Sequence, residues 1–420
     1  MNRWLESTFL SLEIRDFRVL WFGTLFSFVA FFMSMIVQGV VAFELAGTNT
    51  AVAYVVSAQG AAMAVFGPIG GAFADRWPKR RVVVIGQLIT AAAQATVAAL
   101  IATERLQIEM LVAAAFVMGT TFAFLGPARQ SLVIDLVPAE RRANAMAVTL
   151  IANTSSRVLG PVVAGVLLAW PLAGAMGAYL TMSLFYTVSA LSLAWIPKSM
   201  VRPAASEISV FSSVLEGLAY VWHHPRLRLL LIFFVTVILI GFPHVTVLPG
   251  LLENVYGVDS VHVSRLFMAS AVGALIASVG VARFADSRRA IVIYSGMATV
   301  FGLGLICLAS VPGLGLGSLA MFAVGAGSGG FQALNAAVIA RETEPEYMGR
   351  VMSLTMLAFA GFGLMALPIG ILADRIGEQR TLMMMGGVVL LVALLLGRAL
   401  QKQMGEKDRA DVGDSPREAS

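Results

Sequence analysis

Two ionisable side chains stand in or at the end of long apolar runs, where a charge is costly and usually serves a function. Arg157 follows Asn153 by four residues in "NTSSRVLGPVV" and precedes Gly160 by three, so the three share one helix face. A cation there could hold an anionic ligand or a moving carboxylate, or it could be a structural arginine that reaches towards the surface. Glu44 ends the first apolar run in "FELAGT". A buried carboxyl group can carry a proton, whereas a carboxylate at a helix end can simply be solvated.

Uncharged polar side chains inside the apolar runs are candidates to line a cavity: Gln38, Asn153, His244, Gln332 and Asn335. Gln332 and Asn335 are three residues apart and share a face of small residues, which fits a cavity wall or a tight helix crossing equally well. His244 lies between Pro243 and Pro249. In a kinked helix such a histidine is either a proton relay or, more commonly, a structurally hydrogen-bonded group.

Composition places the chain in a membrane. Of 420 residues, 58% are hydrophobic and 13% charged, and the mean hydropathy is +0.84, whereas soluble domains carry roughly twice that charge. The net charge of +5 fits basic loops on the cytoplasmic side better than nucleic-acid binding. The sequence has no phosphate-binding loop, HExxH motif, cysteine cluster or readable Ser-His-Asp arrangement. We therefore expect neither an enzyme nor a bound cofactor or metal.

Uncharged runs of about 20 residues match the thickness of a bilayer. They predict an all-α membrane protein with twelve membrane-crossing helices at residues 19–43, 51–74, 82–102, 108–128, 143–168, 172–196, 228–251, 263–285, 290–310, 315–340, 350–373 and 380–400.

Basic residues set the predicted orientation. Most of the 29 Lys and Arg fall in the tails and in alternate loops, so we expect both termini in the cytoplasm and the chain in the cell membrane, the inner membrane where there are two. One outer loop, "ADRIGEQR", is an exception because it carries Arg375 and Arg380, with Asp374 and Glu378 to balance them.

The chain divides in the middle. We predict a cytoplasmic N-terminal segment, a six-helix half, a linker with a helix lying on the membrane surface, a second six-helix half and a disordered tail, at residues 1–18, 19–196, 197–227, 228–400 and 401–420. The halves repeat each other in parallel: Pro138 and Pro345 are as far apart along the chain as Pro161 and Pro368. Parallel six-helix repeats are one architecture of transporters that work by alternating access.

Two segments carry a resemblance to the major facilitator superfamily over roughly residues 12–400. "GAFADRWPKRR" resembles the family's signature between helices 2 and 3, with matches at Gly71, Ala74, Asp75, Arg76, Lys79 and Arg80. "LGPVVAG" is similar to the antiporter signature of helix 5, with matches at Gly160, Pro161 and Gly165. "GPARQSLVIDLVPAERRANAMA" and "GRVMSL" further resemble the branch of enterobactin-type siderophore exporters and macrolide-efflux proteins.

The resemblance implies a conformational latch at Gly71, Asp75, Arg76 and Arg80, in which Asp75 and Arg76 hold the halves together at the cytoplasmic face. Arg129 and Asp135, at the inner end of span 4, are plausible partners. The physics is consistent, since a carboxylate at a helix end can bind guanidinium groups and the positive end of a facing helix. Lys79, Arg80 and Arg81 have a second interpretation, in which their charges only set the orientation of the chain in the membrane.

These features predict a secondary exporter that works as a proton antiporter and moves amphipathic drug-like or siderophore-like molecules outward. Its partners would be a small-molecule substrate, protons and the bilayer, with no nucleic acid; we expect a monomer, although the sequence does not fix the oligomeric state. The alternatives are an uptake carrier or facilitator, and a non-transporting sensor or scaffold on the same fold.

Overall fold

The computed structural model describes residues 10–196, 210–285, 287, 289–344 and 346–413; the side chains at 68–69, 71–76, 210–214, 356, 360, 401 and 403–413 lie outside that description. Within the described residues, twelve helices are long and apolar enough to cross a membrane. The chain is therefore an all-α, multi-pass membrane protein, as its apolar runs predict.

The first half of the chain forms six long helices, each close to a predicted span. They are α1 Arg15–Ala46, α2 Asn49–Arg76, α3 Lys79–Ala102, α4 Ile108–Leu136, α5 Arg142–Ala169 and α6 Gly174–Ala194. Most extend beyond the apolar run by a few residues, because polar residues can continue a helix into the aqueous layer at the membrane surface.

The second half begins with an amphipathic helix, α7 Val210–His223, inside the predicted linker. It continues with α8 Pro225–Thr236, α9 Val263–Ala282, α10 Ala290–Ser310, α11 Leu314–Arg341, α12 Met348–Ile376 and α13 Glu378–Gly413. The last helix thus runs past residue 400, where the sequence predicts a disordered tail. Residues 401–413 are rich in Gln, Lys, Glu and Arg, which favour helix, and residues 414–420 lie outside the described part.

The seventh predicted span, 228–251, is not one regular helix. After α8 the chain makes π-type turns at Val237–Gly241 and Leu251–Tyr256, with a 3-10 turn at Phe242–Thr246 between them. Pro243 and Pro249 each lack the amide hydrogen that an α-helix needs. The irregular backbone is the physical consequence of these two prolines.

Contacts divide the chain into two compact units. The first comprises Met1–Val210, Val245–Met268 and Ala360–Glu378. In it α2 packs on α4, α3 on α6, and α1 on both α5 and α6. One part of its core is formed by Phe17, Leu20, Val83, Leu132 and Val148.

The second unit comprises Phe211–His244, Ala269–Phe359 and Gln379–Ser420. Its α10 and α11 pack together, and rings from three helices meet where Tyr294 stacks on Phe331 at 4.3 Å and Phe233 meets Tyr294 edge-on. The predicted domain boundaries at residues 18, 196, 227 and 400 stay a prediction.

Candidate functional site

Helix α5 approaches α1 so closely that only glycine fits at the crossing. A Cβ atom on Gly160 would lie 2.6 Å from the Cβ of Phe32 and 3.0 Å from the amide nitrogen of Met33. Further along α5, a Cβ atom on Gly165 would lie 2.5 Å from the Oγ of Ser264. Pro161, between them, is buried. The antiporter-like segment is thus a line of close contacts that fixes α5 against its neighbours.

One turn before this crossing, Arg157 lies over an aromatic ring. Its Cζ is 5.5 Å from the centroid of Phe32, a distance typical of a cation–π contact. The side chain is exposed to solvent. Among the described residues it has neither a hydrogen bond nor a carboxylate partner.

Arg157 belongs to a stripe along α5 whose exposure changes with position. Residues three and four apart share a helix face, which groups Arg157 with Met146, Leu150, Asn153, Pro161, Ala164 and Leu168. Pro161, Ala164 and Leu168 are buried, whereas Met146, Leu150 and Arg157 are exposed and Asn153 is half-buried. The stripe is therefore covered by protein at the C-terminal end of α5 and open at the N-terminal end.

The opposite face of α5 is apolar and exposed along the helix. It carries Leu159, Val162 and Val166, with 43%, 37% and 62% of their surfaces exposed. An exposed apolar helix face in a membrane protein meets lipid. Arg157 does not lie on that face.

Further aromatic rings on α1 and α4 adjoin Phe32, the ring that Arg157 contacts. Phe31 stacks on Phe122 with centroids 4.6 Å apart, and it meets Phe32 edge-on at 5.5 Å. All three rings are half-buried. We call Phe31, Phe32 and Phe122 the aromatic patch.

The second arginine within the spans, Arg129, has a different environment. Its Cζ lies 5.1 Å from the ring centroid of Phe28, one turn before Phe32 on α1. Its Nη2 donates to the Oγ of Ser27 at 2.7 Å, the side chain is buried, and its Nε lacks a partner among the described residues. Arg129 thus ties α4 to α1.

The predicted latch is described only in part. The side chains of Asp75, Arg76 and the other residues of 71–76 lie outside the described part. Asp135 forms an ion pair with Lys79, with Oδ2 and Nζ 2.8 Å apart. Arg80 Nη2 donates a hydrogen bond to the backbone carbonyl of Ala194 at 2.7 Å. Lys79 and Arg80 therefore join α3 to the ends of α4 and α6. The second interpretation from the sequence gave them no role beyond orienting the chain in the membrane.

The uncharged candidates are divided between the two units. Gln38 is buried and its Nε2 contacts the sulfur of Met118 at 3.7 Å. Asn335 accepts a hydrogen bond from the Tyr294 hydroxyl at 3.0 Å, and His244 is buried with its Nδ1 2.8 Å from the carbonyl oxygen of Gly241. These three are held inside their units. Asn153 and Gln332 are half-buried and have no hydrogen bond with described residues.

A cluster that the sequence did not single out closes the N-terminal end of α2. Asp374, in the last turn of α12, accepts hydrogen bonds from the amides of Asn49 and Thr50 at 2.8 Å each, and from both side chains. Glu378 accepts from Asn49 Nδ2 at 2.9 Å and from Asn254 Nδ2 at 2.6 Å. A carboxylate on the first amides of a helix satisfies unpaired donors and complements the helix dipole. We call Asn49, Thr50, Asn254, Asp374 and Glu378 the α2 clamp.

A tight turn brings the two clamp carboxylates together. Gly377 adopts a φ of +89°, a left-handed conformation that side chains rarely adopt, and its amide donates to Ala373 at 2.9 Å. Asp374 and Glu378 lie on either side of it. In the sequence these carboxylates are interpreted as charges that balance Arg375 and Arg380, because their partner Asn49 lies more than 300 positions away and Asn254 lies 124 positions from Glu378.

The proton-coupling candidate Glu44 lies apart from the aromatic patch. It is exposed in the last turn of α1, where the carboxylates of Asp259 and Glu253 repel its charge. No group of His, Cys, Asp or Glu within the described residues could hold a metal ion.

Comparison with known proteins agrees with this architecture. The chain is 23% identical to macrolide efflux protein A of Streptococcus pyogenes over 340 residues, which cover 79% of this chain and 83% of that protein. It is also 23% identical over 311 residues to macrolide efflux protein A of Enterococcus faecalis, covering 73% of this chain and 95% of the relative.

Solved transporter structures have the same fold at low sequence identity. The nucleoside transporter NupG superposes with a TM-score of 0.79 at 13% identity, over 92% of this chain and all of that one. The peptide transporter POT superposes with a TM-score of 0.73 at 14% identity, over 93% of this chain and 95% of that one. The family model described as Major Facilitator Superfamily matches residues 20–360. This protein is a membrane transporter and not an enzyme, and the chain belongs to the Major Facilitator Superfamily.

Proposed function

We propose that this protein is a secondary active exporter that moves amphipathic small molecules out of the cytoplasm by alternating access, with protons as the exchanged ion. The observation that carries the proposal is the α5 stripe. Its surface is exposed around Arg157 and covered by protein from Pro161 to Leu168. A surface reachable from one membrane side only is what an alternating-access carrier needs in each of its two states.

The α2 clamp supplies a reason for closure at the covered end. Asp374 and Glu378 hold the start of α2 through hydrogen bonds to charged acceptors, which are roughly twice as strong as neutral ones. The hydrogen bonds between the Asp374 carboxylate and the amide and hydroxyl of Thr50 are exposed. Partial hydration keeps the net free energy of such contacts small enough to break and remake in each transport cycle.

The direction of transport in this proposal depends on orientation. With both termini in the cytoplasm of a cell or inner membrane, the open end of the α5 stripe faces inward and the α2 clamp faces outward. The relatives named as macrolide efflux proteins support export. The antiporter-like segment Gly160, Pro161 and Gly165 supports exchange.

Proton coupling requires a carboxylate whose protonation differs between the two states. Glu44 is the candidate named from the sequence, and Asp374 and Glu378 of the α2 clamp join it. All three lie at helix ends on the proposed outer side. Exchange requires that a proton binds there from the outside while the clamp is open and is released to the cytoplasmic side after the clamp closes.

At the inner side we retain the latch of Gly71, Asp75, Arg76 and Arg80 as part of the proposal. The ion pair between Lys79 and Asp135 supports it, since it joins the start of α3 to the end of α4 beside α2. The latch would be closed when the clamp is open, and open when the clamp is closed.

Proton movement in respiring inside-out membrane vesicles tests the function. Respiration acidifies the lumen, and a pH-sensitive dye reports the gradient while siderophores, macrolides and cationic dyes are added in turn. An exporter that exchanges protons would alkalinise the lumen for at least one compound. Asp75→Asn should abolish the response, and Glu140→Gln, an exposed carboxylate at the same end, should keep it.

Different outcomes separate the alternatives. Uptake by symport would carry substrate and protons together from the external face to the cytoplasmic face. Compounds added to right-side-out vesicles would then acidify the lumen, whereas the same compounds added to inside-out vesicles would leave the pH of the lumen unchanged. Accumulation of compound in the lumen without any proton movement would overturn the antiport mechanism and leave export standing.

A further inference from the structure

The twelve spans hold cations in their interiors and carboxylates only near their ends. Asp and Glu in the spans lie in the first or last turn, as do Asp16, Glu44, Glu109, Asp135 and Asp374. Arg157, by contrast, has roughly 20 Å of α5 on each side. The interior of the membrane-crossing part therefore carries positive charge without a carboxylate from these helices to neutralise it.

Arg157 and Arg129 differ in what they leave available. Arg129 is buried and hydrogen-bonded to Ser27. Arg157 is exposed, lies over Phe32 and has neither a hydrogen bond nor an ion pair with any described residue. Within the part of the chain that the structure describes, none of the five donors of its guanidinium group has a partner, which leaves them available to a ligand.

The surroundings of Arg157 are apolar and aromatic. The aromatic patch of Phe31, Phe32 and Phe122 lies beside it, with Met146 and Leu150 exposed on the same stripe of α5. Rings and thioethers are adaptable surfaces for an apolar ligand body. A single guanidinium group at the edge of such a surface matches one anionic group on that body.

We propose that Arg157 and the aromatic patch form a binding site for an amphipathic organic monoanion, which carries one carboxylate or similar group on an apolar body. The proposal rests on the proposed function and names its substrate class. A planar guanidinium group binds a carboxylate through two parallel hydrogen bonds, and the Phe32 ring beside it offers a surface for the apolar body of the ligand. A ligand with several phosphates would find too few cations here, and an organic cation would be repelled.

Binding of a matched pair of probes to the purified full-length protein tests the site. The probes are dansyl-labelled undecanoate and its methyl ester, which differ only in the charge of one end. The native protein should bind the acid at least about tenfold more tightly than the ester, because a hydrogen bond to a charged group contributes about 1.5–3 kcal/mol. An ester that binds as tightly as the acid would overturn the proposal.

Variants assign the preference to a residue. In Arg157→Gln the acid should bind no more tightly than the ester, while ester affinity stays as in the native protein, which also shows that the variant is folded. Arg157→Lys should keep part of the preference, since it retains the charge but not the planar fork. Phe122→Leu should weaken both probes alike.

The matched control is Arg228→Gln. Arg228 also lies over an aromatic ring, with its Cζ 5.2 Å from the Trp222 centroid, but outside the α5 stripe. The Arg228→Gln variant should bind the acid and the ester as tightly as the native protein does. A preference for the acid that survives in Arg157→Gln would overturn the assignment.

Transport separates this inference from the proposed function. Export of neutral or cationic compounds with no export of the acid probe would leave the exporter standing and remove the monoanion site. Binding of the acid that depends on Arg157, without export of any compound, would leave the site standing and remove the exporter.

Discussion

Arg129 and Arg157 show how one residue type acquires two roles from its surroundings. Both lie over phenylalanine rings of α1 that are one turn apart. Arg129 is buried and donates to Ser27, whereas Arg157 is exposed and unpaired among the described residues. The first arrangement contributes to stability and the second leaves a charge available to a ligand.

This difference predicts opposite effects of the same substitution. Arg129→Ala removes a buried hydrogen bond and leaves a cavity between α4 and α1, so it should lower the free energy of unfolding by about 2–4 kcal/mol. Arg157→Ala should change it by less than about 0.5 kcal/mol, as expected for an exposed side chain. Thermal unfolding of the two purified variants in one detergent measures both effects. Equal losses in stability would contradict the assignment of Arg157 to ligand binding.

At the scale of the residue, the sequence was informative where the physics is local. An arginine in the middle of an apolar run stands out because burying a charge in lipid is costly, and the structure gives Arg157 an exposed position beside rings. Asp374 and Glu378 could not be assigned in the same way. Their partners Asn49 and Asn254 are distant in sequence, and nothing local in "ADRIGEQR" indicates which helix the carboxylates cap.

Among the helices, the crossing of α1 and α5 depends on one missing side chain. A Cβ atom on Gly160 would press on the Cβ and backbone of Phe32, so Gly160→Ala should force the helices apart. We expect a loss of about 1–3 kcal/mol in stability. Since the same crossing positions Arg157 beside Phe32, the binding preference for an anionic probe should fall as well.

Gly126→Ala provides the control for this prediction. Gly126 also lies inside a membrane-crossing helix, and a Cβ atom there would meet nothing within 4 Å. Alanine favours helix over glycine by about 1 kcal/mol, so the variant should be as stable as the native protein or slightly more so. Thermal unfolding compares the two, and equal stability of both variants would show that the crossing tolerates a methyl group.

The capping of α2 by Asp374 predicts a change in access to that end of the protein. Asp374→Asn keeps the size of the side chain but removes the charge that faces the amides of Asn49 and Thr50. A loss of about 1–2 kcal/mol would shift the opening equilibrium about 5- to 30-fold towards the open clamp.

Labelling of a cysteine at Ser57 measures this shift. Ser57 donates to the carbonyl oxygen of Gly363 at 2.8 Å, so it marks the contact of α2 with α12. With Cys307 replaced by serine, a membrane-impermeant maleimide added to right-side-out vesicles should label Ser57→Cys faster in the Asp374→Asn variant. Asp259→Asn is the control, because Asp259 caps only its own turn at Val261. Equal labelling in all three proteins would exclude a gating role for Asp374.

At the scale of the whole molecule, the twelve spans followed from the length and hydropathy of the apolar runs alone. The helices agree with the predicted spans because a bilayer imposes one length on every crossing segment. Over 228–251 the departure from a regular α-helix exceeds the kink expected beside Pro243 and Pro249, because π-type and 3-10 turns follow one another there. The pattern of apolar and polar residues gives the length of this span but not the type of helical turn within it.

The distribution of basic residues predicts that both ends of the chain lie in the cytoplasm. Fusion of green fluorescent protein after Ser420 should give fluorescent cells, and alkaline phosphatase at the same position should be inactive. Fusions after Gly47, in the turn between α1 and α2, should show the reverse. Fluorescence at both positions would contradict the orientation on which the export direction depends.

Helix α2 carries both proposed closures, the clamp at Asn49 and Thr50 and the latch at Asp75 near its other end. Alternating access requires that the two closures exclude each other, so weakening either one should favour the state held by the other. Asp374→Asn should increase labelling of Ser57→Cys from outside, and Asp75→Asn should decrease it. In the double variant the two shifts of about 1–2 kcal/mol would oppose each other, and labelling should return towards the native rate although transport stays slow. Two single variants that both increase labelling would instead mean that Asp75 and Asp374 stabilise the same state, and the latch and the clamp would then not be alternatives in one cycle.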